Sequence, residues 1–196
     1  PTNSPRLSNT STSIMAIADS PIAMTPSPKR GNSHTTETKS PDIINFASRL
    51  GNPFPWPYAR QMEGHLEITE LIQEARDKYA FGGTWHSDSC NFECPPKYTM
   101  LFCVDCPSVG GDTGFSNQYL AWEALDDGLK AELDGVCAVN SAELGYGTGS
   151  QDPEVQANTT TTVKYSAEQF NEALHPVART HPVTGRKALY VNDSFT

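Results

Sequence analysis

Apolar and polar positions fall into blocks along this chain, and each block predicts its own kind of element. Residues 1 to about 40 are dominated by Ser, Thr, Pro and Asn with no sustained apolar period. Such a stretch buries too little surface to offset the entropy of ordering, so 1–40 reads as a disordered tail and 41–196 as the folded domain. From Asp42 the character changes. Ile43, Ile44, Phe46, Ala47 and Leu50 recur at helical spacing and Gly51 supplies a stop, which predicts a short helix. The alternating prolines of "NPFPWPYARQ" exclude regular structure and predict an extended loop carrying Phe54, Trp56 and Tyr58. "HLEITELIQEARDKYAF" fits either a strand starting near Leu66 or a helix running to Ala75.

Strand periodicity dominates next. "TWHSDSCNF" alternates across a strand, "ECPPKY" forces a turn, and "YTMLFCVDC" puts Tyr98, Met100, Phe102 and Val104 on one face. "PSVGGDTGFS" predicts a turn at Gly110-Gly111 feeding a short strand. Ser116 or Asn117 then caps a helix whose stripe is Trp122, Leu125, Leu129 and Leu133, with Asp126 and Lys130 paired at i,i+4 and Gly135 ending it. Residues 148 to 162 lack a core-forming pattern and read as a mobile insertion. Ser166 and Gln169 form a capping box for a helix over "AEQFNEAL". "VARTH" and "RKALYVN" flank "PVTG" and predict a hairpin.

Composition narrows the function. With 14 basic and 23 acidic residues the formal charge is -9, which argues against an extended surface for nucleic acid or anionic lipid. No apolar run approaches the roughly 20 residues of a membrane-spanning helix. The five cysteines, at 90, 94, 103, 106 and 137, follow no secretory leader, so reduced thiols in a cytoplasmic setting are expected. The chain opens with Pro1 rather than Met, so a fragment or a processed product is expected.

The candidate chemistry sits at His86-Ser87-Asp88. Strand residues at i and i+2 project from one face, so an imidazole and a carboxylate can converge on one ion as two corners of a facial 2-His-1-carboxylate triad. Taken alone the triplet is a weak signal, equally satisfied by a solvated His-Asp hydrogen bond. A rival reading uses Cys90, Cys94, Cys103 and Cys106 as a four-thiolate structural zinc site; against it, Cys103 lies in an apolar run and the spacing between the pairs is short. A non-catalytic barrel that binds a partner is a third.

The order of motifs decides among them. "WHSD", then "PP", then a β-rich run, "PSVGGDTGFSNQYLAWEAL" and "LHPVARTHPVTGRKALYVN" together resemble the taurine dioxygenase (TauD/TfdA) family of Fe(II)/2-oxoglutarate-dependent dioxygenases, from roughly Phe46 to Thr196, with no match in the first forty residues. The resemblance implies a mainly β, α+β domain with flanking helices, a double-stranded β-helix or jelly roll that is incomplete at the C-terminus. It makes His86 and Asp88 the first two iron ligands and Thr113 the residue that binds the distal carboxylate of 2-oxoglutarate. Trp85, on the opposite strand face, is expected to be core packing. The implied partners are O2 and a small organic substrate, anionic ones included, and a homo-oligomer is compatible with the family. The implied reaction is hydroxylation with release of succinate and CO2.

Two departures matter. The family's third ligand, a histidine, and its 2-oxoglutarate arginine lie downstream of "ALYVN", which places both beyond Thr196; His175 and His181 match a segment that supplies no ligand. The chain alone is therefore expected to be a poor or inactive catalyst. At the position of the taurine enzyme's sulfonate-binding asparagine this chain has Gly82, which disfavours taurine itself. The loop around Phe54, Trp56 and Tyr58 is a candidate lining for the substrate mouth, with packing staples as the alternative.

Overall fold

The computed structural model describes residues 36–79, 81–104, 112–161, 163–164 and 167–196. These fall into two compact units. One takes the described residues within 36–83, 96–104 and 148–164, the other those within 84–95, 112–147 and 167–196. Helices and small sheets are mixed: the described residues contain three two-stranded antiparallel sheets and no closed barrel. The expected strand at "YTMLFCVDC" is reduced to an isolated bridge at Met100, and the turn at Gly110-Gly111 and the residue Ser166 lie outside the described residues.

In the first unit, helix α1 runs Thr36–Ala47. It begins six residues before Asp42 because Pro41 forgoes only one backbone hydrogen bond, and buried Ser40 donates to Met62 Sδ at 3.3 Å. Strands β1 (Gln61–Met62) and β2 (His65–Thr69) form a hairpin turned at Gly64, whose φ of 78° suits glycine. Strand β2 thus settles the ambiguity of "HLEIT". In the aromatic loop Phe54 is half-buried and the other two rings pack as core: Trp56 is 3% exposed and Tyr58 0%, with Trp56 edge-on against Tyr58 (5.3 Å) and Phe81 (5.8 Å).

The expected mobile insertion is ordered by side chains, not by an apolar pattern. A short 3-10 turn, Thr148–Gln151, leads into helix α5 (Pro153–Ala157), whose N-cap Asp152 accepts from Glu154 N at 2.7 Å. Thr161 Oγ1 then accepts from Ile72 N (2.6 Å) and donates to Ile72 O (2.8 Å), so one hydroxyl does the work of a ladder rung.

The second unit carries helices α2 (Gln118–Glu123), α3 (Asp127–Leu133) and α4 (Ala142–Tyr146), and strands β3 (Cys137–Ser141), β4 (Glu172–Pro176), β5 (Ala178–Thr180) and β6 (Lys187–Leu189). Asn117 caps α2 as expected, accepting from Tyr119 N and Leu120 N. The single long helix does not form. Asp126 turns its carboxylate to Leu129 N (2.9 Å) and starts α3 afresh instead of pairing with Lys130, which donates to Glu123 O. Of the predicted stripe only Trp122 is buried.

"AEQFNEAL" is a second correction. A 3-10 turn at Ala167–Phe170 gives way to β4, which pairs with β3 in the register Ala138↔His175, Val139↔Leu174, Asn140↔Ala173. Cross-strand pairing outweighs the local helix signal. Asn140, Ala173 and His175 are buried by this ribbon, while Val139 and Leu174 face out. The β5–β6 hairpin forms across "PVTG" as expected, with Gly185 at φ 69°. Its β6 strand packs on α2, Lys187 lying over the Trp122 ring and Arg186 over Tyr119.

Candidate metal-binding site

His86 and Asp88 lie in the second unit, on a segment that pairs with no strand among the described residues. Residues 85–87 belong to no helix or strand, and 88–91 form a turn in which Ser89 adopts φ 54°. The expected strand is therefore corrected to a turn. The chain bends at Ser89, directly after Asp88, and the two candidate side chains meet: His86 Nε2 and Asp88 Oδ1 are 3.1 Å apart, with the imidazole 22% and the carboxylate 39% exposed.

The hydrogen bonds fix the chemistry of the imidazole. His86 Nδ1 lies 2.7 Å from the carbonyl oxygen of Thr84. A carbonyl only accepts, so Nδ1 carries hydrogen and Nε2 is the nitrogen turned to the carboxylate. Two acceptors at that distance need a positive charge between them, either a proton on Nε2 or a cation. The hydrogen bond to Asp88 pushes the His86 pKa above its ordinary value, against the desolvation that lowers it and with help from Thr84.

A metal fits the same geometry. Two cis donors on an octahedron with bonds of about 2.1 Å stand about 3.0 Å apart, close to the Nε2–Oδ1 separation. Anchoring the other ring nitrogen on a backbone carbonyl is the usual support of a metal-binding histidine. Among the described residues no group of three or more His, Cys, Asp or Glu side chains converges on one point. Imidazole plus carboxylate is a donor set suited to Fe(II).

The other candidates are placed as follows. Thr113 lies on an exposed coil; its neighbour Gly114 is so close to the Trp85 ring that a β-carbon there would stand 3.0 Å from it. Trp85 is not core: it is 64% exposed and lines an open cleft of about 620 Å³ with Phe115, Asn117, Gln118 and Leu120. The strand face that would have buried it does not exist. His175 is buried, with Nε2 on the carbonyl of Phe92 at 2.9 Å and its ring edge-on to Tyr190. His181 Nδ1 accepts from Val183 N and Thr184 N, organising the hairpin turn.

For the cysteine reading, Cys90 is buried and its thiol is pushed up to about 11, mainly by burial; Cys94, Cys103 and Cys137 are exposed, and Cys106 lies outside the described residues. Sequence reasoning missed the groups around the pair: the Thr84 carbonyl, Ser89, and the Asn192–Thr196 turn. "NDSFT" did carry a signal, since an Asn followed by Asp and Ser favours a side-chain-closed turn.

An imidazole and a carboxylate meet on a short turn in a unit of mixed helix and sheet. The family described as taurine catabolism dioxygenase TauD, TfdA matches residues 34–196, and the chain belongs to that family. The match begins before Phe46 and takes in the whole of α1. Enzymes of this family use Fe(II), with 2-oxoglutarate as co-substrate.

Three curated relatives place the chain further. It is 31% identical to the alkylsulfatase of Acinetobacter baylyi over 85% of this chain and 50% of that protein. It is 31% identical to the alpha-ketoglutarate-dependent sulfate ester dioxygenase of Pseudomonas putida, over 82% and 51% respectively. It is 33% identical to the (S)-phenoxypropionate/alpha-ketoglutarate-dioxygenase of Sphingobium herbicidovorans, over 76% and 52%. The chain spans about half the length of the curated relatives it matches. No helix among the described residues is long and apolar enough to cross a membrane.

Proposed function

We propose that this protein is an Fe(II)- and 2-oxoglutarate-dependent dioxygenase, with His86 Nε2 and Asp88 Oδ1 as two ligands of a facial triad and Thr113 as the hydroxyl for the distal carboxylate of 2-oxoglutarate. The observation that carries this reading is the 3.1 Å approach of Nε2 to Oδ1, with Nδ1 held on the Thr84 carbonyl. When bound, the iron and its co-substrate supply oxygen activation. The overall change is insertion of one oxygen atom into a substrate C–H bond, the other entering the succinate formed as 2-oxoglutarate loses CO2.

The chain's own residues have narrower tasks in this reading. Thr84 fixes the tautomer that leaves Nε2 to the metal, and the turn at Ser89 keeps the carboxylate beside it. Metal binding displaces the proton that the pair otherwise shares. The substrate is a small organic anion, a reading supported by relatives that include sulfate ester and phenoxypropionate dioxygenases. The complete catalytic domain is a jelly roll, and it includes residues 36–40, which belong to α1.

Anaerobic titration of the chain with Fe(II) or Co(II) tests the reading. Binding is expected in the wild-type chain, weak because two side chains supply it, and lost in both His86→Ala and Asp88→Ala. Equal affinity in the wild type and His86→Ala would overturn it.

A further inference from the structure

Among the described residues the ligand-bearing segment pairs with no strand. It is touched at several points by the turn Asn192–Thr196. Asn192 Oδ1 accepts from Ser194 N and Phe195 N, both at 3.1 Å, closing a turn with its own side chain. The same side chain donates through Nδ2 to Cys90 Sγ at 3.6 Å, two residues past Asp88. Ser194 Oγ and Thr84 Oγ1 share a hydrogen bond of 2.6 Å, and Thr84 is the residue whose carbonyl holds His86 Nδ1. The Phe195 ring stands edge-on to the His86 ring, centroids 6.0 Å apart.

The turn is itself anchored. Phe195 is buried, its ring packs on Tyr146 at 5.1 Å, and its carbonyl accepts from Ser141 N at 2.6 Å, at the end of β3. Thr196 Oγ1 donates to Asn140 Oδ1 at 3.1 Å. Ligand geometry is useful only when held within roughly 0.5 Å by surrounding contacts. Here those contacts reach the segment before His86, the His86 ring, and the residue after Ser89, and all three come from one turn closed by one amide.

We infer that Asn192 is a positioning residue for the His86–Asp88 pair: its side chain closes the Asn192–Thr196 turn into a bracket that carries the order of β3 to a metal-binding segment lying outside the strand ladders of the described residues. The inference rests on the reading of that pair as metal ligands. It has a readout that does not, because the bracket orders the imidazole before any metal arrives.

The test compares the wild-type chain with Asn192→Ala, Ser194→Ala and His86→Ala in two measurements, Co(II) affinity by titration and the His86 ring proton resonances recorded without metal. Asn192→Ala is expected to weaken Co(II) binding by about 10-fold, as removal of a supporting contact does, and to broaden or double the His86 resonances, which are single and sharp in the wild type. Ser194→Ala, which cuts only the link to Thr84, is expected to shift both in the same direction by less. Should Asn192→Ala fail to fold, Ser194→Ala decides by the same two criteria. Wild-type resonances in the folded variant overturn the inference, even with weakened Co(II) binding, because the effect would then bypass the ring. If His86→Ala leaves Co(II) affinity intact, the metal reading fails, and the metal-free resonances still decide whether Asn192 orders His86.

Discussion

The segment around His86 and the region from β4 to β6 carry three histidines between them and use them in opposite ways. His175 and His181 spend ring nitrogens on backbone groups, the carbonyl of Phe92 and the amides of Val183 and Thr184. Their neighbours are held by strand ladders as well. His86 commits one nitrogen to Thr84 and turns the other to a carboxylate, on a stretch with no ladder. A histidine that builds structure satisfies the backbone with its ring; His86 instead keeps one nitrogen facing a carboxylate, as the proposed ligand role requires.

The sharpest way to break this contrast is to exchange the roles by mutation. His86→Ala is expected to weaken Fe(II) or Co(II) binding by at least about 100-fold, more than loss of a supporting contact would, while His181→Ala leaves the affinity unchanged; anaerobic titration of both variants checks it. A comparable loss in His181→Ala would erase the distinction. Next in size is Gly145→Ala in α4. Its new β-carbon would lie 2.5 Å from Cε1 of buried Phe195, an overpacking that costs about 1–3 kcal/mol, read from urea denaturation. An unchanged midpoint would show that the ring is loosely held.

A smaller effect comes from pH. The His86 pKa is raised by the Asp88 hydrogen bond, against desolvation and with the Thr84 contact. A group whose folded-state pKa exceeds its unfolded value stabilises fully below the unfolded value, about 6.5, and the contribution is lost as pH rises through the folded value. The metal-free chain is therefore expected to lose stability from pH 6 to pH 8.5, and Asp88→Asn to flatten that slope. Metal affinity runs the other way, since the proton must leave. Least of all is expected from Arg186→Ala. It removes an exposed ion pair with Glu123 and a stack on Tyr119, together worth about 0.5–1 kcal/mol; thermal denaturation checks that the hairpin region does not depend on it.

The two regions also differ in how far the sequence reveals them. The β5–β6 hairpin was legible because "PVTG" is a local instruction, satisfied within a few residues by Gly185 and by the turn itself. The cap at Asn117 was legible for the same reason. Strand β4 was hidden: its local pattern suits a helix, and only the partner strand β3, some thirty-five residues earlier, makes the extended form pay. The meeting of His86 with Asp88 was anticipated, but by way of a strand, and the exposure of Trp85 was mispredicted along with that strand. Nothing near residue 86 reports that a turn at Ser89 replaces the strand, because contacts that hold the segment come from distant residues, 192–196 and His175. The splitting of α2 from α3 was missed because Asp126 serves equally well in an ion pair or as a cap.

Ser89 joins two unusual properties: a backbone in the left-handed region and a buried hydroxyl without a hydrogen-bond partner among the described residues. Both are unfavourable, the backbone alone by about 1–2 kcal/mol. Glycine at this position would relax the torsion and make the whole chain sturdier, yet it would also widen the arc through which the adjoining carboxylate can swing. Robustness and grip are in tension at this one residue, and any effort to toughen the protein should begin elsewhere.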